Sequence, residues 1–397
     1  MFFKWIAALH KGKPDEMSFA VRLYEYCEGD CMKLSALGKS NFLGFLIIFL
    51  FASYAGAQAN RFQELLNAAK KEAGSGAFVV YASNPREEKT RQALFDAFKK
   101  KYGMPDFKFE WLELHPSVAV PRTITEIKAG KPGPTVLMSS AATLLDLDHA
   151  GFLDSFDWVA SFSSEFPDIR EASMDRVPAE LKGKWVVIYD ATRSWVFNTQ
   201  QMKASEVPDS IESVADPKWA RKFAMNASGG SPFDLFSLVW GEERTLNTVK
   251  KLMANRPIFK KGTPAVNNAV AAGEAPLGFG SIHESERLKV QGAPVDWKTY
   301  GEYIPVLSQG YSVTKKASQP NLGRLFIAWL AMDGMKIYEE MEVTTRVTRK
   351  ESPLYKSIKQ RAPNAKVLEP TNQKEFKAFD AVNEKLDKLL ATVAVGK

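Results

Sequence analysis

One arginine, one histidine–glutamate pair and a set of small polar loops are the residues of this chain that could do chemistry. Arg193 stands alone between two apolar runs, Lys184–Tyr189 and Ser194–Asn198. A lone guanidinium offers a planar fork of N–H donors that matches a carboxylate or a phosphate. The same residue equally serves as a solvated hinge arginine in a surface ion pair. His283 and Glu284 are adjacent at the start of a helical stretch. They could ligate a metal, open the helix with the glutamate near its positive end, or let His283 donate a hydrogen bond to an anion. Ser83-Asn84, Ser117, Ser139-Ser140, Ser228-Gly229-Gly230-Ser231 and Ser281 fall where an apolar run ends and a helical pattern begins. Such residues cap helices. A helix start that faces a cleft also offers N–H groups to an anion. Gly229 and Gly230 would let a ligand come close to the backbone. Trp111, Trp195 and Phe233 are large enough to wall a pocket, although residues of that size more often fill a core.

The elements that must position these groups follow from periodicity. Arg61–Lys71 repeats apolar residues at helical spacing, and Gly74 and Gly76 end it. Compact apolar runs predict strands at Phe78–Ala82, Phe107–Leu114, Pro134–Met138, Lys184–Tyr189, Ser194–Asn198, Ala224-Met225, Pro276–Phe279, Pro294–Trp297 and Tyr303–Val313. Asp190-Ala191-Thr192-Arg193 reads as the loop between two of them. Helices fill most of the intervals, and Asn321–Lys397 reads as helical throughout. Strands alternating with helices predict open parallel-sheet α/β lobes. In such sheets ligands sit at the carboxyl ends of the strands, which is where the polar loops fall.

Composition excludes several classes. The chain has 397 residues, 45% hydrophobic and 25% charged, as expected of a globular protein. Its net charge is +7. Removing residues 1–57, with six Lys/Arg and five Asp/Glu, leaves +6, a mild bias toward anionic ligands. The bases are scattered and not interleaved with aromatics, which speaks against nucleic-acid binding. Beyond residue 59 there is no cysteine, and the only histidines are His115, His149 and His283. Neither a G-x-S-x-G elbow nor H-E-x-x-H occurs, so an enzyme is not expected.

The N-terminus carries an export pattern. Lys33 and Lys39 precede an apolar run, Phe42–Ala52, and the small-x-small sites Ala55-Gly56-Ala57 and Ala57-Gln58-Ala59 follow. The run is shorter than the ~20 residues of a membrane span, and the pattern is that of a signal peptide over 32–59. Residues 1–31, which hold Cys27 and Cys31, then read as a mis-assigned extension before a true start at Met32. No cysteine follows the apolar run to take a lipid.

Several segments in order resemble one family. They are Val79-Val80-Tyr81-Ala82-Ser83, Ala93–Gly103, Arg122–Lys131, Gly151-Phe152-Leu153-Asp154, Phe197-Asn198-Thr199, Pro208-Asp209-Ser210, Asp216-Pro217-Lys218-Trp219 and Gly292-Ala293-Pro294-Val295. Together they are similar to the type II periplasmic solute-binding proteins of ABC importers, in the ferric-binding branch. The resemblance implies two Rossmann-like open-sheet lobes joined by a two-strand hinge. Lobe one would be residues 60–189 plus 305–397, and lobe two 190–304. The hinge strands would lie near Val187–Thr192 and Tyr303–Leu307. It also implies a monomer that closes on a small molecule, delivers it to a membrane permease of an ABC importer, and needs no cofactor. Ferric-binding members use an adjacent Tyr-Tyr pair, whose place here falls on His283-Glu284. No Tyr-Tyr occurs in this sequence, and imidazole suits Fe³⁺ less well than phenolate does. The expected ligand is therefore a small organic anion (a carboxylate, phosphonate or phosphate ester), with iron or another metal complex at His283 and Glu284 as the alternative.

Overall fold

The computed structural model describes residues 60–227 and 230–394. The leader and extension, Cys27, Cys31, and the candidates Ser228 and Gly229 lie outside the described residues.

A helix over residues 60–73 (α1) precedes β1 (Ala77–Tyr81), α2 (Glu88–Tyr102), β2 (Lys108–Leu112), α3 (Pro116–Lys128), β3 (Val136–Ser140) and α4 (Ala141–His149). After the short α5 (Trp158–Phe162) come β4 (Val186–Thr192) and β5 (Ser194–Asn198). The middle of the chain holds β6 (Phe223–Asn226), α6 (Phe233–Trp240), α7 (Glu242–Ala254), β7 (Ile258–Lys260), α8 (Thr263–Ala271), β8 (Leu277–Gly280), α9 (Ile282–Val290) and β9 (Val295–Lys298). The long strand β10 (Tyr303–Val313) leads to α10 (Pro320–Trp329), α11 (Met335–Glu342), α12 (Pro353–Arg361), β11 (Lys366–Leu368) and α13 (Gln373–Ala394).

Two sheets result. One has the order β11-β10-β3-β1-β2 with β4 also on β10; the other runs β7-β6-β8-β5-β9. Both are mixed, where alternation alone predicted parallel sheets. β1 lies parallel to β2 and β3, but β10 returns from the other lobe and so lies antiparallel to β3 and β4. β5, which enters the second sheet from the first, is antiparallel to β8 and β9 for the same reason.

The chain crosses between sheets along β4 and back along β10. The predicted loop at residues 190–193 is instead mostly strand: β4 continues to Thr192, paired with Val306, and only Arg193 separates it from β5. Asp190 pins the two crossing strands together. It stands opposite Ser308, whose hydroxyl donates to its Oδ1 at 3.0 Å. Arg176 donates to its Oδ2 at 2.7 Å, as does the Val347 N–H, also at 2.7 Å. Glu369 closes the group, accepting from Arg176 and competing with Asp190 for the single Ser308 hydroxyl proton.

β7 and β11, three residues each, were not predicted, because so short an apolar run inside a helical pattern carries no strand signal. The bounds 305–397 place α13 in lobe one, yet part of it packs on the second sheet. Val382, Leu386 and Leu390 of α13 are buried in the core of the second, beside Phe233, Phe236 and Phe279. The first core is dominated by aromatics, with Phe95 stacked between Phe109 and Phe326 at 3.7 and 4.9 Å. Among the described residues no helix is long and apolar enough to cross a membrane.

Candidate functional site

Helices follow β1, β3, β6 and β8 from the strands' carboxyl ends. The polar loops therefore meet where the two crossing strands pass between the sheets. At the centre is Arg193. Its Nε donates to Ser231 Oγ at 2.8 Å and its Nη1 to the Thr192 carbonyl at 3.0 Å. It is partly exposed, yet desolvation lowers its pKa, opposed chiefly by Asp234. Among the described residues no carboxylate comes within ion-pair distance of it. A guanidinium carries five N–H donors, and among the described residues two of them are used.

His283 sits beside it. Its Nδ1 is 3.2 Å from Thr192 Oγ1. Burial pushes its pKa down to about 4; Glu284 opposes this, while Arg193, Arg86 and Arg287 add to it. The imidazole is thus neutral at ordinary pH, between the Glu284 carboxylate and three arginines. Asn84 approaches from the first lobe. Its Nδ2 donates to Tyr189 Oη at 2.7 Å, and Tyr311 Oη donates to its carbonyl at 2.6 Å. Burial raises the Tyr189 pKa, and the Asn84 bond and the fields of Arg86 and Arg193 oppose that rise. Arg86 and Arg193, one from each side, therefore act on the same pair of groups, Tyr189 and His283.

Asp234, in the first turn of α6, is buried. Burial raises its pKa to about 7, against a hydrogen bond from the Leu235 N–H and the attraction of Arg193, with Asp387 pushing it up further.

Of the sequence-predicted residues, Arg193, Ser231, His283 and Asn84 come together here. Gly230 lies beside them, its N–H donated to Asn383 Oδ1 at 2.8 Å. Ser83 follows β1 and is half-buried. Ser117 is exposed at the start of α3 with its hydroxyl against His115 Nδ1. Ser139 donates to the Ser140 carbonyl, and Ser140 pairs with Thr143. These last three satisfy their hydroxyls within lobe one, and the expected side-chain cap at Ser140 does not form. Trp195 and Phe233 are core residues. Trp111 is half-buried and donates to the Ala82 carbonyl.

Ser281 Oγ is fully buried without a hydrogen-bond partner among the described residues. Ser281→Ala is expected to leave stability unchanged or raise it by up to ~1 kcal/mol, because an unsatisfied hydroxyl is costly to bury. Thermal denaturation reads this, and a clear loss of stability would mean that the hydroxyl is satisfied after all.

Sequence reasoning missed Arg86, Thr192 and Asp234. Arg86 and Thr192 each lie within two residues of one it did select, and Asp234 opens the helix after Ser231; their adjacency was the available signal.

Glu284 is poorly placed to ligate a bare metal ion. Glu284 Oε2 accepts two bonds from Arg287, at 2.9 and 3.0 Å, and Oε1 lies 3.7 Å from Arg86. Both carboxylate oxygens are engaged by cations that would repel a metal ion. Among the described residues no cluster of three or more His, Cys, Asp or Glu could hold one.

A family model described as bacterial extracellular solute-binding protein matches residues 82–336. The chain is 24% identical over 153 residues to an Fe(3+)-binding periplasmic protein of Serratia marcescens, covering 38% of this chain and 42% of that one. It spans about half the length of the curated relatives it matches. Among solved structures it is similar to iron-bound HitA from Pseudomonas aeruginosa, with 18% identity, a TM-score of 0.63, and coverage of 79% of this chain and 99% of that one. The periplasmic binding protein AfuA from Actinobacillus pleuropneumoniae, with fructose-6-phosphate bound, gives 20% identity, a TM-score of 0.59, and coverage of 78% and 97%. At these identities the structures establish the fold, a two-lobe α/β periplasmic-binding-protein architecture.

Proposed function

The chain belongs to the bacterial extracellular solute-binding protein family, and from that premise we propose that it captures a small organic anion in the periplasm for an ABC importer. A carboxylate, phosphonate or phosphate ester fits the donors. One observation carries this reading: Arg193, in the crossing between lobes, has spare N–H donors and no carboxylate partner among the described residues. A desolvated cation whose nearest charge is not at contact distance is costly to hold, and an anionic ligand supplies a closer opposite charge. His283, Ser231 and Asn84 supply further polar groups around the same space. A ligand stabilises closure only through contacts made in both lobes, and Arg86 with Asn84 on one side faces Arg193 with Ser231 on the other. Periplasmic binding proteins close by a hinge motion around the ligand, and here that motion would proceed about β4 and β10. That AfuA holds a sugar phosphate in the same fold is consistent with the anion reading; that other relatives are named for iron is set against the donor chemistry at residues 283 and 284.

The test is mass spectrometry of solute co-purifying with the protein, metal analysis, and thermal shift against inorganic phosphate, sugar phosphates, alkylphosphonates and di- and tricarboxylates. One anion class is expected to stabilise the fold, by about 2.7 kcal/mol at a hundred times its Kd, without being consumed. Stoichiometric iron retained by the purified protein would overturn the anion reading, and turnover of the ligand would overturn the binding role.

Asp234 makes the affinity depend on pH. Above its pKa of about 7 it is charged and competes for the field of Arg193; below, it is neutral. A dicarboxylate of constant charge should bind several-fold more tightly at pH 6 than at pH 8, since a charge at several ångströms is worth on the order of 1 kcal/mol. Asp234→Asn should remove that dependence in titration calorimetry. Stability follows the same sign. The pKa is raised from the unfolded value of 3.8, so this group's contribution is present at low pH and is lost as pH rises through about 7.

A further inference from the structure

Helix α13 is anchored to both lobes. Near its start, Phe376 is buried in the first lobe with Leu144 and Leu145 of α4 and with Trp185. Further along, Val382, Leu386 and Leu390 are buried in the second lobe against Phe233 and Phe236 of α6. Lys385 adds an ion pair with Glu242 at the start of α7. Between these anchors, Asn383 Oδ1 accepts the Gly230 N–H at 2.8 Å. A Cβ at Gly230 would stand 2.4 Å from Leu386 Cδ1, so helix and loop are in direct contact. Ser231, the next residue, holds Arg193 Nε at 2.8 Å. A continuous physical path therefore runs from α13 through Gly230 and Ser231 to Arg193.

The two anchors are unequal. Among the described residues, Val382, Leu386 and Leu390, a hydrogen bond and an ion pair hold α13 to lobe two. Phe376 holds it to the core of lobe one, where Asp380 also meets the like charge of Asp146 on α4. Any rotation of the lobes about β4 and β10 must strain one of these contacts, and the weaker gives first.

We propose that α13 is a strap that travels with lobe two, docks on lobe one through Phe376 in the ligand-free protein, and through Asn383 positions the Gly230–Ser231 turn that holds Arg193. Asn383 is thus a positioning residue, acting on the site through the loop backbone. The proposal rests on the two-lobe reading but not on the ligand's identity.

Hydrogen exchange followed by mass spectrometry on the ligand-free full chain tests it. Phe376→Ala should speed exchange in residues 373–380 by about tenfold or more, with 381–394 much less affected, because local opening depends on the packing that holds each segment shut. Phe376→Leu should restore most of the protection. Asn383→Ala should speed exchange in residues 230–236, leaving β1, β3 and β8 as in the wild type, and Asn383→Asp, which keeps the acceptor, should recover it. By reciprocity, Arg193→Met, which does not touch α13, should alter exchange in 381–394 by at least about threefold. The strap is overturned if Phe376→Ala loosens both halves of α13 equally. The positioning role is overturned if Asn383→Ala leaves 230–236 unchanged or if α13 ignores Arg193→Met. Since no ligand enters these measurements, a chain that bound no anion would fail the proposed function while still deciding this one.

Discussion

Arg193→Met is expected to lower affinity for the anionic ligand by about 100-fold or more, close to 3 kcal/mol. Hydrogen bonds to a charged group contribute roughly 1.5–3 kcal/mol each, and a bidentate guanidinium makes two in fixed geometry. Methionine keeps most of the length and apolar stem of the side chain while removing every donor. Arg193→Lys retains the charge without the planar fork and should fall between the two. Titration calorimetry with the anion found by mass spectrometry reads the effect. The ligand-free stability of Arg193→Met should be unchanged or higher, because Arg193 is desolvated without a carboxylate at contact distance. That second readout separates loss of binding from loss of fold. Wild-type affinity in Arg193→Met would remove this residue from the site and the anion reading with it.

The second large effect concerns the hinge. Asp190→Ala is expected to cost about 3 kcal/mol of unfolding free energy, since removing one partner of a buried ion pair leaves the other charge uncompensated. Asp190 is 1% exposed and accepts from Arg176, Ser308 and the Val347 N–H. After the substitution the Val347 N–H loses its acceptor, and Arg176 keeps only Glu369 as a charged partner. Asp190→Asn retains acceptor capacity and should lose about half as much. Chemical denaturation, with the slope checked for two-state behaviour, measures both. A loss below ~1 kcal/mol in the alanine variant would show that the strands are held by their backbone ladder and apolar contacts alone.

Much of the fold was legible because its signals are local. The five-residue apolar run at β1, the helical spacing of α2 and the left-handed Gly103 that ends it are determined within a few residues. β10 was predicted over its observed length because Tyr303–Val313, with Pro305 and Gly310 in it, has no good helical reading. β7 and β11 were not legible: three residues hold no periodicity, and each is a strand only because a neighbour offers its edge.

The site divides in the same way. Arg193, His283, Ser231 and Asn84 were selected from residue type and from position at strand ends. Arg86 was not, because it lies far from Glu284 in the chain and only the folded arrangement places the two 3.7 Å from each other. The placement of α13 was likewise illegible. Its amphipathic pattern requires that one face be buried, but not that Phe376 enter one core and Leu386 the other.

The alternation of strands and helices, the export pattern and the polar loops at strand ends can be read from spacing along the chain. Which of those loops meet, which carboxylates arginines already claim, and that no described carboxylate reaches Arg193 are settled only by the folded arrangement. Those are questions of distance and desolvation between segments, and neither is encoded in any one segment's composition.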